Sequence, residues 1–463
     1  VLQCVGRMSS RDLTDRTVST PGRRTAGWRA HRLVVVASPD EGAVGRAVVL
    51  DQSPLSIGRA GHVDGPLSLA DAELSRRHAV LEREAATDTI WIRDLQSRNG
   101  TFVNGIRQSH AGLVSGDVVR AGATLFVFER VELEADAPLV PTEEPPLLGR
   151  SLAVARVRGE IARVAARDMP VLVLGESGSG KELVARALHE RSGRSGALVA
   201  VNCGALPPDL VESELFGHVA GAFTGASKAS EGLFAAAEGG TIFLDEIGEM
   251  PPSVQPKLLR ALATGEVRPV GSSAARRVDV RVVAATNRDL RAEVDAERFR
   301  GDLYARLAGW TIELPPLRRR KDDVLVLARA FLARAGAPTA MEADAAEALL
   351  LHRWPFNVRE LERVCAAVAV RAAGAERVLL DHLPPELRGP VEARRPLAPA
   401  AFEPPLALSI RPDVTPSAEE LARVLAHYRG NIAQVAEFFG RDRRQIYRWI
   451  DRYELDVDAL RGE

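Results

Sequence analysis

Val171-Leu172-Val173-Leu174-Gly175-Glu176-Ser177-Gly178-Ser179-Gly180-Lys181 decides the fold of the middle of the chain. A short apolar run comes first, then a glycine-rich loop ending in lysine. Leu183, Val184, Ala187 and Leu188 then recur at helical spacing. Strand, Gly-x-x-x-x-Gly-Lys and helix together make a phosphate-binding loop. Gly175, Gly178 and Gly180 let the backbone turn its N–H groups inward, with Glu176, Ser177 and Ser179 completing the cradle. The helix N-terminus adds partial positive charge, and Lys181 reaches the outer phosphates. Glu182 stands where most such loops carry the Ser or Thr that binds Mg²⁺. The metal must then be held mainly by phosphates, water and another carboxylate.

Three further apolar runs end in polar residues that a nucleotide can use. The run 198–201 ends at Asn202, 241–244 at Asp245-Glu246, and 280–285 at Thr286-Asn287. Helical segments separate them, which predicts a parallel sheet between helices, with the ligand at the carboxyl ends of the strands. Asp245 reads as the residue that orients Mg²⁺, largely through water. Glu246 reads as the carboxylate that polarises the water attacking the γ-phosphate of ATP.

Glu214-Leu215-Phe216-Gly217-His218 leads into Gly221-Ala222-Phe223-Thr224-Gly225-Ala226. This six-residue segment resembles the signature of AAA+ activators of sigma-54 RNA polymerase, the bacterial enhancer-binding proteins. The likeness runs from Leu148 to Leu361, and GESGSGKE is similar to that family's own phosphate loop. Small and glycine-bounded around one large apolar residue, the segment is expected to be an exposed, mobile loop. The resemblance implies that the loop grips sigma-54 and moves with the nucleotide. It also implies that Asn202 holds Glu246 until hydrolysis, and that Thr286 and Asn287 sense the nucleotide. Arg300 and Arg306 match arginine fingers completing a neighbour's site, which implies a homo-oligomer, dimer to hexameric ring. After Pro315-Pro316-Leu317-Arg318 a helical lid is expected, from about 316. Trp354-Pro355-Phe356-Asn357-Val358-Arg359 resembles the start of a sensor helix whose Arg359 contacts phosphates. Phe356 replaces the family's usual Gly; if that Gly takes positive φ, Phe is strained there.

Ahead of this unit, short β-type runs alternate with turns: 33–36, 47–50, 78–82, 90–93, 118–120 and 125–128. They predict an all-β sandwich over 31–132. Between the runs lie Ile57-Gly58-Arg59, Leu74-Ser75-Arg76-Arg77-His78 and the stretch from Asp94 to Gly105 containing Ser97-Arg98-Asn99-Gly100-Thr101. These residues resemble the forkhead-associated (FHA) domain, which binds phosphothreonine peptides at one end of its sandwich. Arg59 and Arg76 can supply charge-assisted hydrogen bonds to a phosphate and Ser75 a hydroxyl donor. By resemblance Arg98 and Asn99 hold the peptide, and His78 is assigned to ordering the loop. Residues 1–30 read as a disordered tail. Its Thr14, Thr17, Thr20 and Thr25 read as solvated, with capture by this same module after phosphorylation the alternative. The initial Val is expected from an alternative or incomplete start. Residues 133–146 read as a linker.

Residues 389–416, rich in Pro and Ala, read as a second linker. Ser417 then caps a helix, residues 429–431 turn the chain, and two further amphipathic helices follow, the last to about Tyr453, in a unit spanning 417–463 with a helix-turn-helix pattern. Arg441, Arg443, Arg444, Gln445, Tyr447 and Arg448 gather around the last helix as candidate contacts to DNA phosphates and base edges. The unit resembles the Fis-type DNA-binding domain. Trp449 fits two roles, packing on the domain or touching the DNA backbone.

Over 463 residues the formal net charge is −1, so any DNA contact must come from a local patch. The 3 cysteines lack metal spacing, which disfavours zinc and fits a reduced cytoplasm. No apolar run suits a membrane helix. The reading is a multidomain chain: an FHA β-sandwich, an α/β AAA+ P-loop domain over 147–388 with its lid, and an all-α helix-turn-helix. Its expected function is ATP-dependent activation of sigma-54 RNA polymerase holoenzyme from an upstream DNA site, under control of a phosphothreonine protein or Ser/Thr kinase. Rival readings are an AAA+ remodelling ATPase of another class and a DNA-binding phosphoprotein scaffold with weak ATPase.

Overall fold

Leu33 and Val35 point into one apolar core and Val34 and Val36 into another, because the strand Trp28–Ala37 lies between a second sheet and a set of helices. Successive strand residues face opposite ways. A run apolar at every position therefore needs cover on both faces. The computed structural model describes residues 28–51, 54–133, 146–223, 226–393, 415–428, 432–453 and 455. The threonines of the tail, Thr224, Gly225 and most of both linker stretches lie outside them. The chain divides into two compact units, Val1–Arg394 and Arg395–Glu463.

In the first unit, residues 28–133 form the expected sandwich. One sheet runs Ala47–Val49, Trp28–Ala37, Thr124–Leu133, Val118–Ala121, Thr101–Val103 and Ile106–Gln108. The other runs Ser68–Leu69, Leu55–Arg59, Ala79–Glu84, Thr89–Asp94 and His110–Leu113. Ile57, Leu81, Ile90, Ile92, Phe126 and Phe128 fill the space between them. Two segments expected as connections are strands: Ile57-Gly58-Arg59 closes Leu55–Arg59, and Thr101 opens Thr101–Val103. Both strands are short, and Arg59, which ends the first, and Thr101, which opens the second, spend their side chains on the loops, which hides the alternation.

Residues 147–313 form a parallel sheet in the order Leu198–Asn202, Thr241–Asp245, Arg281–Thr286, Val171–Leu174, Trp310–Glu313. Val171 and Val173 pack against the helices Leu152–Val164 and Lys181–Glu190 on one face. Leu172, on the other face, joins Leu215, Leu258 and Leu303. The register pairs Asn202 with Asp245 and Leu174 with Thr286. Parallel pairing thus sets all four polar strand ends along one edge of the sheet.

The lid helices Val324–Arg334, Ala343–Leu351 and Asn357–Arg371 wrap the fully buried Trp354. A last helix, Pro385–Glu392, runs past the expected boundary at 388. In the second unit, Ala418–His427, Ile432–Phe438 and Arg443–Arg452 enclose Leu421, Val424, Val435, Phe439, Ile446 and Ile450. Ser417 opens it with a reciprocal cap. Its Oγ accepts from Glu420 N at 3.2 Å while its own N donates to the Glu420 carboxylate at 2.8 Å. No helix among the described residues is long and apolar enough to cross a membrane.

Candidate functional site

Gly178 takes φ 73°, and a Cβ there would collide with the carbonyl oxygen of Phe356. Only glycine lets the lid come this close to the phosphate loop. The contact is mutual, because Val358 N and Arg359 N donate to Gly178 O at 2.9 and 3.3 Å. The first turn of the lid helix Asn357–Arg371 therefore sits on the loop. Phe356 has φ −104° and is not strained; the left-handed residues are its neighbours Trp354 and Asn357. Phe356 is 60% exposed. Arg359 Nη1 lies 3.4 Å from Ser177 Oγ.

Lys181 opens the helix Lys181–Glu190, and its side chain is buried. Its Nζ donates to Gly175 O at 3.1 Å and to Glu246 Oε1 at 3.2 Å. Glu246, at φ 50°, also accepts from Asn287 N at 3.3 Å through Oε2. A non-glycine residue in this region costs energy, and such residues cluster at functional sites. Beside it, Asp245 accepts from Glu246 N at 3.0 Å. Burial pushes the Asp245 carboxyl above its ordinary range, Lys181 opposes that, and the charge of Glu246 adds to it. Lys181, Asp245, Glu246 and Asn287 are thus gathered as expected. Asn202 is not bonded to Glu246: its Oδ1 accepts from Gly204 N and Ala205 N at 2.9 and 3.1 Å. Thr286 is buried, and its Oγ1 accepts from Arg288 N.

The loop suits a polyphosphate. Among the described residues, the backbone N–H groups of Gly178, Gly180, Lys181 and Glu182 donate to no backbone carbonyl. Ser179 Oγ is buried with no hydrogen-bond partner among the described residues. Three residues around the loop were missed from sequence. Asn357 donates to Glu176 Oε2 at 3.1 Å and to Ser177 O at 3.0 Å, and accepts from Leu317 N at 2.8 Å. Arg318 pairs with Glu176, whose carboxyl it holds down to about 2. Arg320 donates to Ser179 O at 2.8 Å. An asparagine placed to take a left-handed conformation at a helix start was the readable signal for the first. The arginines lay in a run of three, which reads as solvated charge.

Arg300 bridges to Asp302, Nη2 to Oδ2 at 2.8 Å, and Arg306 donates to Leu262 O at 3.0 and 3.2 Å. Both are exposed, and neither bonds to the phosphate loop of its own chain. The excursion from Gly217 to Gly232 starts and ends at two glycines whose backbones touch, where any side chain would collide. His218 and Ser230 then exchange backbone bonds of 2.9 Å. Gly221 N donates to Ala226 O at 2.8 Å, so the segment is pinched at its root. Phe223 is 37% exposed and makes a T-shaped contact with His218, with centroids 5.0 Å apart. Against it packs a second hairpin, Glu266–Val267 with Arg276–Arg277, whose Gly271 abuts Ala222.

On the sandwich, Arg59, Ala72, Glu73, Leu74, Ser75, Arg98 and Asn99 line a pocket of about 450 Å³. Arg59 is spent on the pocket wall, donating to Leu74 O at 3.0 and 2.8 Å and to Ala72 O at 3.0 Å. Asn99 Nδ2 donates to Glu73 O at 2.8 Å, and Arg98 N donates to Ser75 Oγ at 3.0 Å. The side chain of Arg76 is exposed and makes no hydrogen bond among the described residues. His78 is fully buried. Its Nδ1 accepts from Ser75 N at 3.2 Å and its Nε2 lies 3.1 Å from Gly100 O. Burial lowers its pKa, which keeps the ring neutral with the proton on Nε2. His78 orders the loops, as the sequence suggested.

In the second unit Asp442 caps the last helix, accepting from Gln445 N at 2.8 Å. Arg441, Arg443, Arg444, Tyr447 and Arg448 are exposed. Trp449 takes the packing role, 5% exposed and edge-on to Phe439.

A family model described as the Sigma-54 interaction domain matches residues 147–313. An FHA domain model matches 55–122, an AAA+ ATPase lid domain 318–399 and a Homeodomain-like domain 415–461. The chain is 52% identical over 245 residues to the nitric oxide reductase transcription regulator NorR1 of Cupriavidus necator, covering 51% of this chain and 48% of that one. It is 49% identical over 237 residues to the regulatory protein LuxO of Vibrio cholerae, covering 50% and 45%. Against the transcriptional regulatory protein ZraR of Escherichia coli K12 it is 42% identical over 331 residues, 69% of this chain and 71% of that one. The chain spans about half the length of the first two of these relatives.

Proposed function

The chain belongs to the sigma-54-dependent transcriptional activators, and from that premise we propose that it hydrolyses ATP to remodel sigma-54 RNA polymerase holoenzyme, from the cytoplasm and at an upstream DNA site. The observation that carries this is the joining of Lys181, Glu246 and Asn287 at the strand ends, under a lid seated on Gly178. Lys181 is placed to meet the β- and γ-phosphates and Glu246 to orient water. Mg²⁺, through Asp245 and water, would supply positive charge to the phosphates. Asn202 is assigned to hold Glu246 before hydrolysis, and its bond to its own loop is read as one of two states. Arg300 and Arg306, exposed and turned from their own phosphate loop, are offered to a neighbouring subunit's γ-phosphate, which calls for a ring, hexameric by family. Residues 221–226 are the contact to sigma-54, with Phe223 presented and Thr224 beside it in sequence. The last unit is a Fis-type reader whose exposed arginines, Gln445 and Tyr447 take the DNA.

The pocket lined by Arg59, Ser75, Arg98 and Asn99, with the exposed Arg76 next to Ser75 in sequence, is assigned to a phosphothreonine protein or its Ser/Thr kinase. Arg76→Ala is expected to weaken a phosphothreonine peptide about 10–100-fold, the worth of a lost charge-assisted bond, with little change in stability. Arg59→Ala is expected to lower both affinity and melting temperature, because it also releases the carbonyls of Leu74 and Ala72. Peptide titration alongside thermal melts checks both.

The Mg²⁺ dependence has a defined sign. Cation binding needs Asp245 ionised, and its raised pKa means protons compete at higher pH than at an ordinary carboxylate. The Mg²⁺ concentration for half-maximal ATP turnover is expected to rise on acidification, approaching about tenfold per pH unit below that pKa. Metal titrations between pH 5.5 and 8 test it. The reading as a whole is tested by transcription from a sigma-54 promoter with purified holoenzyme, ATP and the full chain, with and without a phosphothreonine peptide. Absence of ATP-dependent transcripts in both arms overturns it.

A further inference from the structure

The β-sandwich is not tethered beside the ATPase; it shares a core with it. Val34, Val36, Val118, Leu125 and Val127 pack on the lid with Leu325, Ala328 and Leu349. Two arginines reach across. Arg120 pairs with Asp344 and, at 3.0 Å, with the buried Glu347 of the lid helix. Arg32, 1% exposed, donates from Nε to Glu129 at 2.7 Å and from Nη2 to Asp322 Oδ2 at 3.2 Å.

Asp322 belongs to a four-residue strap, 320–323. Its neighbour Asp323 accepts from Arg150 N, Ser151 N and Ser151 Oγ at 2.6, 2.7 and 2.6 Å, fixing the start of the helix Leu152–Val164. Two residues before Asp322, Arg320, 2% exposed, holds Ser179 O of the phosphate loop at 2.8 Å. Its Nε has no partner among the described residues, and the charges of Asp323 and Asp322 act on the buried guanidinium. One short strap therefore receives the sandwich at Asp322 and holds the phosphate loop at Arg320.

We propose that Arg32 of the sandwich and Arg320 of the strap are positioning residues for nucleotide binding, so that the phosphopeptide-binding domain is a built-in support of the phosphate loop. This rests on the reading of the loop as an ATP site. Removing Arg32 leaves the Asp322 carboxyl buried without its cation, a costly state that the strap relieves by moving. Burial already pushes that carboxyl well above its ordinary range, with the nearby Glu129 and Asp323 charges adding and Arg32 opposing. Replacing both members by apolar residues removes the cause, since a buried pair is often exchanged for packed side chains without loss.

The test uses the full chain, ATP and ADP calorimetry, and amide hydrogen exchange of residues 175–181 without nucleotide. Arg32→Met is expected to weaken nucleotide binding about tenfold and to speed exchange in the loop by a similar factor. KM for ATP should rise with it while kcat stays within about twofold, because the loop is held alike in ground and transition states. The double variant Arg32→Met with Asp322→Leu is expected to regain both affinity and protection. Should Arg32→Met fail to fold, Arg32→Lys, which keeps the charge but cannot reach both carboxylates, takes its place with a smaller shift of the same sign. Folded variants with unaltered affinity and loop exchange overturn the proposal, as does a double variant no better than the single. An unaltered chain that binds no nucleotide overturns the ATP reading instead, while loop exchange still reports on the strap.

Discussion

Glu246→Gln is expected to hold ATP about as tightly as the unaltered chain and to hydrolyse it about a thousandfold more slowly. The amide keeps the shape and the oxygen that accepts from Lys181 Nζ at 3.2 Å. It loses the charge that polarises water. The left-handed backbone at Glu246, φ 50°, is a property of the turn and is open to Gln at the same cost. Lys181→Ala contrasts with it. That change removes a cation from the loop and from Glu246 together, so binding itself is expected to fail. Equilibrium binding and single-turnover hydrolysis of the two variants separate a carboxylate acting on water from a lysine acting on phosphate. A Glu246→Gln chain with normal turnover contradicts the assignment.

Phe223→Ala is the second large effect, and it has the opposite character. Phe223 is 37% exposed and belongs to none of the apolar cores of the described residues, so truncation takes little from them. The pinch at Gly217 and Gly232 and the Gly221–Ala226 bond are backbone features and survive it. ATP turnover by the free chain is therefore expected to stay within about twofold, with melting temperature nearly unchanged, since surface substitutions of this kind are near neutral. Promoter opening, which needs the ring as a handle on the partner, is expected to fall at least about a hundredfold, the loss of a central aromatic contact.

The parts legible in the sequence are those where chemistry is local. A glycine loop between strand and helix, paired acids at a strand end, and an amphipathic helix rich in arginine each announce themselves within a dozen residues. Parallel register then did the rest, carrying Asn202, Asp245 and Thr286 to one edge of the sheet. What stayed hidden depends on contacts between segments far apart. Asn357 and Arg318 reach Glu176 across roughly 140 to 180 positions of chain. The docking of the sandwich on the lid had a faint signal: residues 33–36 and 125–128 are apolar at every position, the mark of strands buried on both faces. The expectation of strain at Phe356 failed because the left-handed conformation falls on Trp354 and Asn357, one burying its ring and the other spending its amide on the loop.

The most direct measurement is open-complex formation by sigma-54 holoenzyme on a promoter carrying an upstream site for this chain, run in parallel with phosphate release. With the unaltered chain, ATP is predicted to produce open complexes. With Phe223→Ala, phosphate release is predicted to continue at its normal rate while open complexes vanish. Undiminished promoter opening by the variant, or opening by the unaltered chain when Glu246→Gln has stopped hydrolysis, would contradict the claim that ATP energy reaches the polymerase through this loop.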